Sequence, residues 1–277
     1  VTPRALQFDT NQFVFGGVMV NRSQPGVGRL SGTVVLVTGA SSGIGHATAS
    51  LLADEGAAVA LVARRAERID ALAVDIRSRG ASAEVFAADI TQEDVDALVG
   101  RVVERMGRLD TLVNSAGIML VGPAAEAPLR EWRRTVDLNV SALLEMTHAA
   151  LPHLRRAAQT SPRAVADIVN ISSVAGRSAI GGAAVYSASK FAVSAFSEAL
   201  RQELGQQHVR VSAIEPGAVS TELTDHIRDG VREANQSWYA AMETLQARDV
   251  AESVGFVVTR PRHVAVADLR VLPTEQA

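Results

Sequence analysis

The 277-residue chain has no cysteine, a single lysine among its 27 basic residues, and two tyrosines. Without cysteine there can be no disulfide, thiolate metal site, iron–sulfur cluster or cysteine nucleophile. The composition is compatible with a reducing compartment, and a cytoplasmic location is expected. Charge of one sign is lacking too: 27 Lys+Arg against 30 Asp+Glu give a formal net charge of −3. That balance supplies no diffuse positive field to draw nucleic-acid phosphates. The apolar run Phe13–Val20 is too short to span a bilayer, and no Ala-x-Ala cleavage pattern follows it, which argues against a secretory signal. Neither a nucleic acid nor a membrane is expected as a partner. Apolar residues, by contrast, make up 47% of the chain, enough for a sizeable core.

Residues 1–29 read as a flexible N-terminal extension, within which Met19 is a candidate start of the native chain. From residue 30 to 277, strand-like and helix-like segments alternate without a linker, repeat or low-complexity tract, so one domain is expected. Strands are expected at 34–37, 58–62, 83–87, 111–113, 165–171, 210–214 and 266–272. Helical patterns fall at 43–53, 66–79, 92–106, 129–156 and 183–206. Seven strands interleaved with helices predict an α/β fold with a doubly wound parallel sheet and helices on both faces. Segment 219–250, which holds Trp238, Tyr239 and Met242, reads as a strandless insertion over one sheet edge, a substrate loop.

Three sites along the chain carry chemistry. Thr38-Gly-Ala-Ser-Ser-Gly-Ile-Gly45 sets Gly39, Gly43 and Gly45, with Ser41, Ser42 and Ile44 between them, at a strand-to-helix junction. Exposed N–H groups and the helix dipole there favour a pyrophosphate, and glycine permits close approach. After the second strand, where an NAD-preferring site commonly places a carboxylate, the chain has Arg64 and Arg65, which suit a 2′-phosphate. Finally, Tyr186 and Lys190 stand at i and i+4, on one helical face, preceded by Ser172-Ser173 at a strand end. A nearby ammonium favours phenolate, lowering the tyrosine pKa toward working pH for acid–base chemistry on a carbonyl or alcohol. Arginine has replaced lysine everywhere except at this position.

Taken in order, Thr38-Gly-x3-Gly-x-Gly45, Asn114-Ser-Ala-Gly117, Asn139, Ser173, Tyr186-x3-Lys190 and Pro216-Gly217 resemble the short-chain dehydrogenase/reductase superfamily across residues 30–272. Asn114-Ser-Ala-Gly117 departs mildly from the more usual Asn-Asn-Ala-Gly. The resemblance implies a single-domain Rossmann fold and a Ser–Tyr–Lys–Asn mechanism. Tyr186 would be the general acid or base, and Ser173, thirteen residues upstream, would hydrogen-bond the reacting oxygen. Lys190 would hold the nicotinamide ribose, and Asn139 would keep a water through its backbone. It further implies cofactor contacts from Asp89, Ile90, Asn114, Ala116, Gly117, Pro216, Gly217 and Thr221, with NADP(H) preferred and NAD(H) as the alternative. Within the superfamily, residues 116–123 and 272–276 look like the branch of clavulanic aldehyde reductase and NADP-dependent serine dehydrogenases.

The expected activity is hydride transfer between nicotinamide and a small carbonyl or alcohol compound, in a homodimer or homotetramer built on the two long helices. An NAD-linked alcohol or 3-hydroxy acid dehydrogenase is the alternative within the same chemistry. A catalytically silent nucleotide-binding regulator is the alternative outside it. No metal site is read: His148 and His153, at i and i+5, do not stack. Arg177 is given a structural role. Met119, Leu120, Val185, Leu223, Trp238 and Met242 are expected to line an apolar cleft.

Overall fold

The computed structural model describes residues 28–276. The Phe13–Val20 run and Met19 lie outside the described residues, as does the rest of the chain up to residue 27. Gly28 and Arg29, which the sequence assigns to the extension, belong to the domain: Leu30 N donates to Glu55 O (2.8 Å) and Arg29 Nε to Glu55 Oε2 (2.8 Å).

The first half alternates β1 (Val34–Thr38), α1 (Gly43–Asp54), β2 (Ala58–Ala63), α2 (Ala66–Ser78), β3 (Ser82–Ala87), α3 (Val95–Met106) and β4 (Thr111–Asn114). The second half runs through α4 (Leu129–Val136), α5 (Ala142–Thr160), β5 (Ala166–Ile171), α6 (Ala184–Leu204) and β6 (Val209–Pro216). It closes with β7 (Val219–Ser220), α7 (Val231–Ala240), β8 (Leu245–Gln246), α8 (Ala247–Val258) and β9 (Asp268–Val271). Seven strands form one parallel sheet in the order β3-β2-β1-β4-β5-β6-β9, as the alternation predicted.

Both faces of the sheet are covered, so its strands are continuous apolar runs. In β1, Val35 and Val37 enter the layer formed with α1, α2 and α8, while Leu36 enters the layer formed with α3, α5 and α6. The chain winds outward from β1 through β2 to β3, then returns to place β4 on the other side of β1. That reversal opens a crevice beyond the carboxyl ends of β1 and β4, where ligands of doubly wound sheets bind.

Two expectations need correction. The helix expected over 129–156 is interrupted by a π-helical turn, Asp137–Ser141, centred on Asn139. Segment 219–250 is not strandless: β7 and β8 pair in parallel (Val219 with Leu245, Ser220 with Gln246) and flank α7. The start of α8 is fixed where Asp249 Oδ2 accepts from Gln246 N (2.8 Å), and its apolar stripe Val250, Ala251, Val254, Val257 and Val258 is buried in the core.

Candidate active site

A cavity of ≈ 710 Å³ opens at the carboxyl ends of the strands. Its floor is the first strand-to-helix turn. Gly39 sits at φ +70°, and a Cβ there would lie 2.9 Å from the Ala116 backbone, so only glycine fits. Thr38 Oγ1 accepts from Ser115 N and Ala116 N (3.1 Å each), locking the end of β4 against this turn. At the start of α1, Ser42 is the N-cap, but its hydroxyl makes no capping bond and the first turn holds no acidic residue. The orphan N–H groups of that helix end are therefore left for another acceptor, and Ser42, Gly43, Ile44 and Gly45 all line the cavity. An uncapped helix N-terminus above a glycine cradle fits a pyrophosphate.

Toward the β2 end, Val62, Ala88 and Ile90 make an apolar wall beside Asp89, whose Oδ1 accepts from Thr91 N (3.1 Å) and Thr91 Oγ1 (2.8 Å). Arg64 is more than half exposed, with Asp89 Oδ2 3.8 Å away. Arg65 is differently placed. Its Nε and Nη2 donate to Ser41 Oγ (3.2 and 3.0 Å), Nη2 also to Ser42 Oγ (2.7 Å), and Nη1 to Glu222 Oε2 (2.8 Å).

At the other end, β5 delivers Ser172 and Ser173, and α6 delivers Tyr186 and Lys190. Ser172 Oγ is bonded to Ser194 Oγ (2.9 Å) and Lys190 O (3.2 Å), a structural use. Ser173 instead lines the cavity together with Tyr186, and its own Oγ accepts from Ala175 N (3.1 Å). Lys190 Nζ lies 5.8 Å from the Tyr186 ring centroid and donates to Ile171 O (2.8 Å). Two further ammonium donors remain for other partners. Asn139 stands behind them. Its Oδ1 accepts from Ile118 N (2.9 Å), and its Nδ2 donates to Ile118 O (2.9 Å) and Ser189 Oγ (3.1 Å), tying the π turn to the β4 loop and α6.

The electrostatics differ from the sequence expectation. Burial pushes the Tyr186 phenol up to about 12, with Ser173 pulling weakly the other way. Burial also brings Lys190 down to about 8. Burial is the largest cause of both shifts and holds the phenol in its neutral form near pH 7.

Of the predicted residues, Gly39, Ser41, Ser42, Gly43, Ile44, Gly45, Arg64, Arg65, Asp89, Ile90, Ala116, Gly117, Ser173, Tyr186, Lys190, Pro216, Gly217 and Thr221 come together on the cavity wall. Asn114 does not reach it. Its Nδ2 donates to Thr147 Oγ1 (3.0 Å) and Asn170 Oδ1 (2.9 Å), a buried brace between β4, β5 and α5. Asn139 also lies behind the lining. Arg177 pairs with Glu215 and Asp268, a structural role as expected. Of the expected apolar cleft, Met119 and Leu223 line the cavity, together with Val121, Val231 and Tyr239, whereas Leu120, Val185 and Met242 do not. The Trp238 side chain lies outside the described residues. Sequence reasoning missed Glu222, His226 and Gln276, which also line the cavity. Gln276 Oε1 accepts from Ala218 N (2.8 Å), a contact 58 residues away along the chain, so the branch-like 272–276 tail marks the residue without showing that it reaches the cavity.

A doubly wound sheet with a glycine cradle at its switch point, and a serine, a tyrosine and a lysine gathered beyond it, defines a nucleotide-binding oxidoreductase. A family model described as short chain dehydrogenase matches residues 33–232, and the chain belongs to that family. Its members here are oxidoreductases of the carbonyl and CH–OH groups. The chain is 39% identical over 246 residues to sulfoacetaldehyde reductase 2 of Chromohalobacter salexigens, covering 88% of this chain and 95% of that one. It is 37% identical over 250 residues to glycine betaine reductase of Emericella nidulans, covering 90% of this chain but spanning 19% of that protein's length. Among solved structures, the closed form of serine dehydrogenase complexed with NADP+ superposes with a TM-score of 0.79 at 32% identity, covering 88% of this chain and 96% of that one.

Proposed function

We propose that the protein is an NADP(H)-dependent carbonyl reductase acting through Ser173, Tyr186, Lys190 and Asn139. The observation that carries this reading is the buried Tyr186 phenol on one cavity wall with Ser173, the Lys190 ammonium 5.8 Å from its ring centroid. When bound, the nicotinamide supplies the hydride. Ser173 donates a hydrogen bond to the substrate carbonyl oxygen, and Tyr186 Oη gives that oxygen its proton, so the alcohol forms without a free alkoxide. Lys190 would hold the nicotinamide ribose with its two remaining donors, and Asn139 would fix the π turn whose backbone could keep a water to replace the proton. The uncapped end of α1 would hold the pyrophosphate, and Arg64 would take the 2′-phosphate with a share of Arg65. Asp89 and Ile90 would flank the adenine, while Pro216, Gly217 and Thr221 would line the nicotinamide side. Asn114 acts through the scaffold rather than by contact.

Around Tyr186 the wall is apolar, formed by Met119, Val121, Leu223 and Val231. That lining favours a neutral aldehyde or ketone over charged substrates such as the sulfoacetaldehyde of one relative's name. Assembly is a homodimer or homotetramer through α5 and α6, and the location is cytoplasmic. Among the described residues no helix is long and apolar enough to cross a membrane. The reading is tested by NADPH oxidation against a panel of aldehydes and ketones, using wild type and Tyr186→Phe. Turnover that vanishes in the variant while NADPH still binds supports it. Turnover that survives the substitution contradicts it.

A further inference from the structure

Glu222 stands on the segment that follows β7, across the cavity from α2. Its Oε2 accepts from Arg65 Nη1 (2.8 Å) and its Oε1 from Arg68 Nη1 (2.5 Å), so one carboxylate bridges two guanidiniums a helical turn apart. Its reach is set by its neighbour. Thr221 packs its side chain within 3.3 Å of where a Gly43 Cβ would lie, and its Oγ1 accepts from Leu223 N (3.3 Å), anchoring the segment over the glycine turn. Arg65 is thereby shared among Ser41, Ser42 and Glu222, whereas the ion-pair partner of Arg64 among the described residues is Asp89, 3.8 Å away.

We propose that Glu222 determines cofactor specificity: its carboxylate occupies the face of Arg65 that a ribose 2′-phosphate must use, so NADP(H) has to displace it and NAD(H) does not. This rests on the NADP(H) reading above. Two anions cannot share one guanidinium edge without repulsion, and the phosphate carries close to two charges. The two arginines hold Glu222 down to about 2, so the competing group is ionised throughout the working range. Arg68 gives the displaced carboxylate a place to stay, which moderates the penalty. The net effect is an affinity for the phosphorylated cofactor set below what Arg64 and Arg65 alone would give. A swap of Glu222 for its neutral isostere releases that restraint.

The experiment is calorimetric titration of the full chain with adenosine 2′,5′-bisphosphate and with 5′-AMP, which differ only in the 2′-phosphate. Wild type is expected to prefer the bisphosphate. Glu222→Gln should bind it about fivefold more tightly, the scale of partly exposed charge pairs, with 5′-AMP unchanged and the gain shrinking at high salt. Arg68→Gln should weaken bisphosphate binding in wild type, and by much less in the Glu222→Gln background, because Arg68 acts by sharing the carboxylate. A Glu222→Gln protein that binds the bisphosphate no more tightly than wild type, or that shifts both ligands equally, overturns the inference alone. A wild type without preference between the ligands removes the phosphate site, and the inference with it.

Discussion

At the Tyr186 end of the cavity Lys190 is buried and its ammonium is met by the Ile171 carbonyl, while at the β2 end Arg65 is about one-third exposed and shared among Ser41, Ser42 and Glu222. One end holds a charge by fixed dipoles in a dry setting, which moves pKa values; the other holds charge by exchangeable ion pairs in contact with water. The first arrangement is rigid and suits proton transfer, where a small misplacement is costly. The second can trade partners, as a site that must admit and release a charged ligand requires.

The contrast can be broken at several points, beginning with the largest effect. Tyr186→Phe removes the acid and should lower kcat about 10³-fold, in the range expected of positioned acid–base groups. NADPH binding measured by protein fluorescence should persist, and lost binding would place Tyr186 in the scaffold instead.

Lys190 offers a second test through stability. Its pKa is about 8 in the folded protein against an ordinary 10.5. Between those values the unfolded chain holds more protons than the folded one, so stability gains with rising pH across pH 8–10.5, by about 3 kcal/mol from this group. Below pH 8 the burden of the buried ammonium is fully present. Urea unfolding of wild type and Lys190→Met across this window should show the rise in wild type only. Parallel pH profiles in both proteins would mean that the lysine is not desolvated.

Asn139→Ala is next. It leaves Ile118 N and O unpaired in a buried place and should cost about 2 kcal/mol of stability, read as a lowered urea midpoint with an unchanged slope. Glu222→Gln, at the exposed end, is the smallest of these, about fivefold in one ligand's affinity.

The same contrast explains what was legible in the sequence. The gathering of Ser173, Tyr186 and Lys190 could be read because they lie within local patterns: the i, i+4 pair Tyr186 and Lys190, and Ser173 on the preceding strand end. The glycine turn was equally plain, since strand, cradle and helix are contiguous. The reading failed where partners are distant along the chain. Glu222 meets Arg65 across 157 residues, and Gln276 meets Ala218 across 58. It also failed on the sign of the Tyr186 shift, because spacing shows that Lys190 is near but not how completely both are desolvated. The α8 stripe of Val250, Ala251, Val254, Val257 and Val258 was present at helical spacing, yet it was obscured by treating residues up to 250 as one insertion. The π turn at Asn139 has no periodic signature, since one extra residue in a turn leaves the flanking helical spacing intact.

The proposed arrangement is a glycine turn and an arginine pair that would hold a 2′-phosphorylated dinucleotide over Tyr186. It is tested most directly by fluorescence titration of wild type and Arg64→Ala with NADPH and NADH. Tighter binding of NADPH by wild type, with the preference collapsing about tenfold in the variant while NADH is unaffected, is the predicted result. Equal or NADH-favoured binding by wild type, or a preference that survives the loss of Arg64, would contradict it.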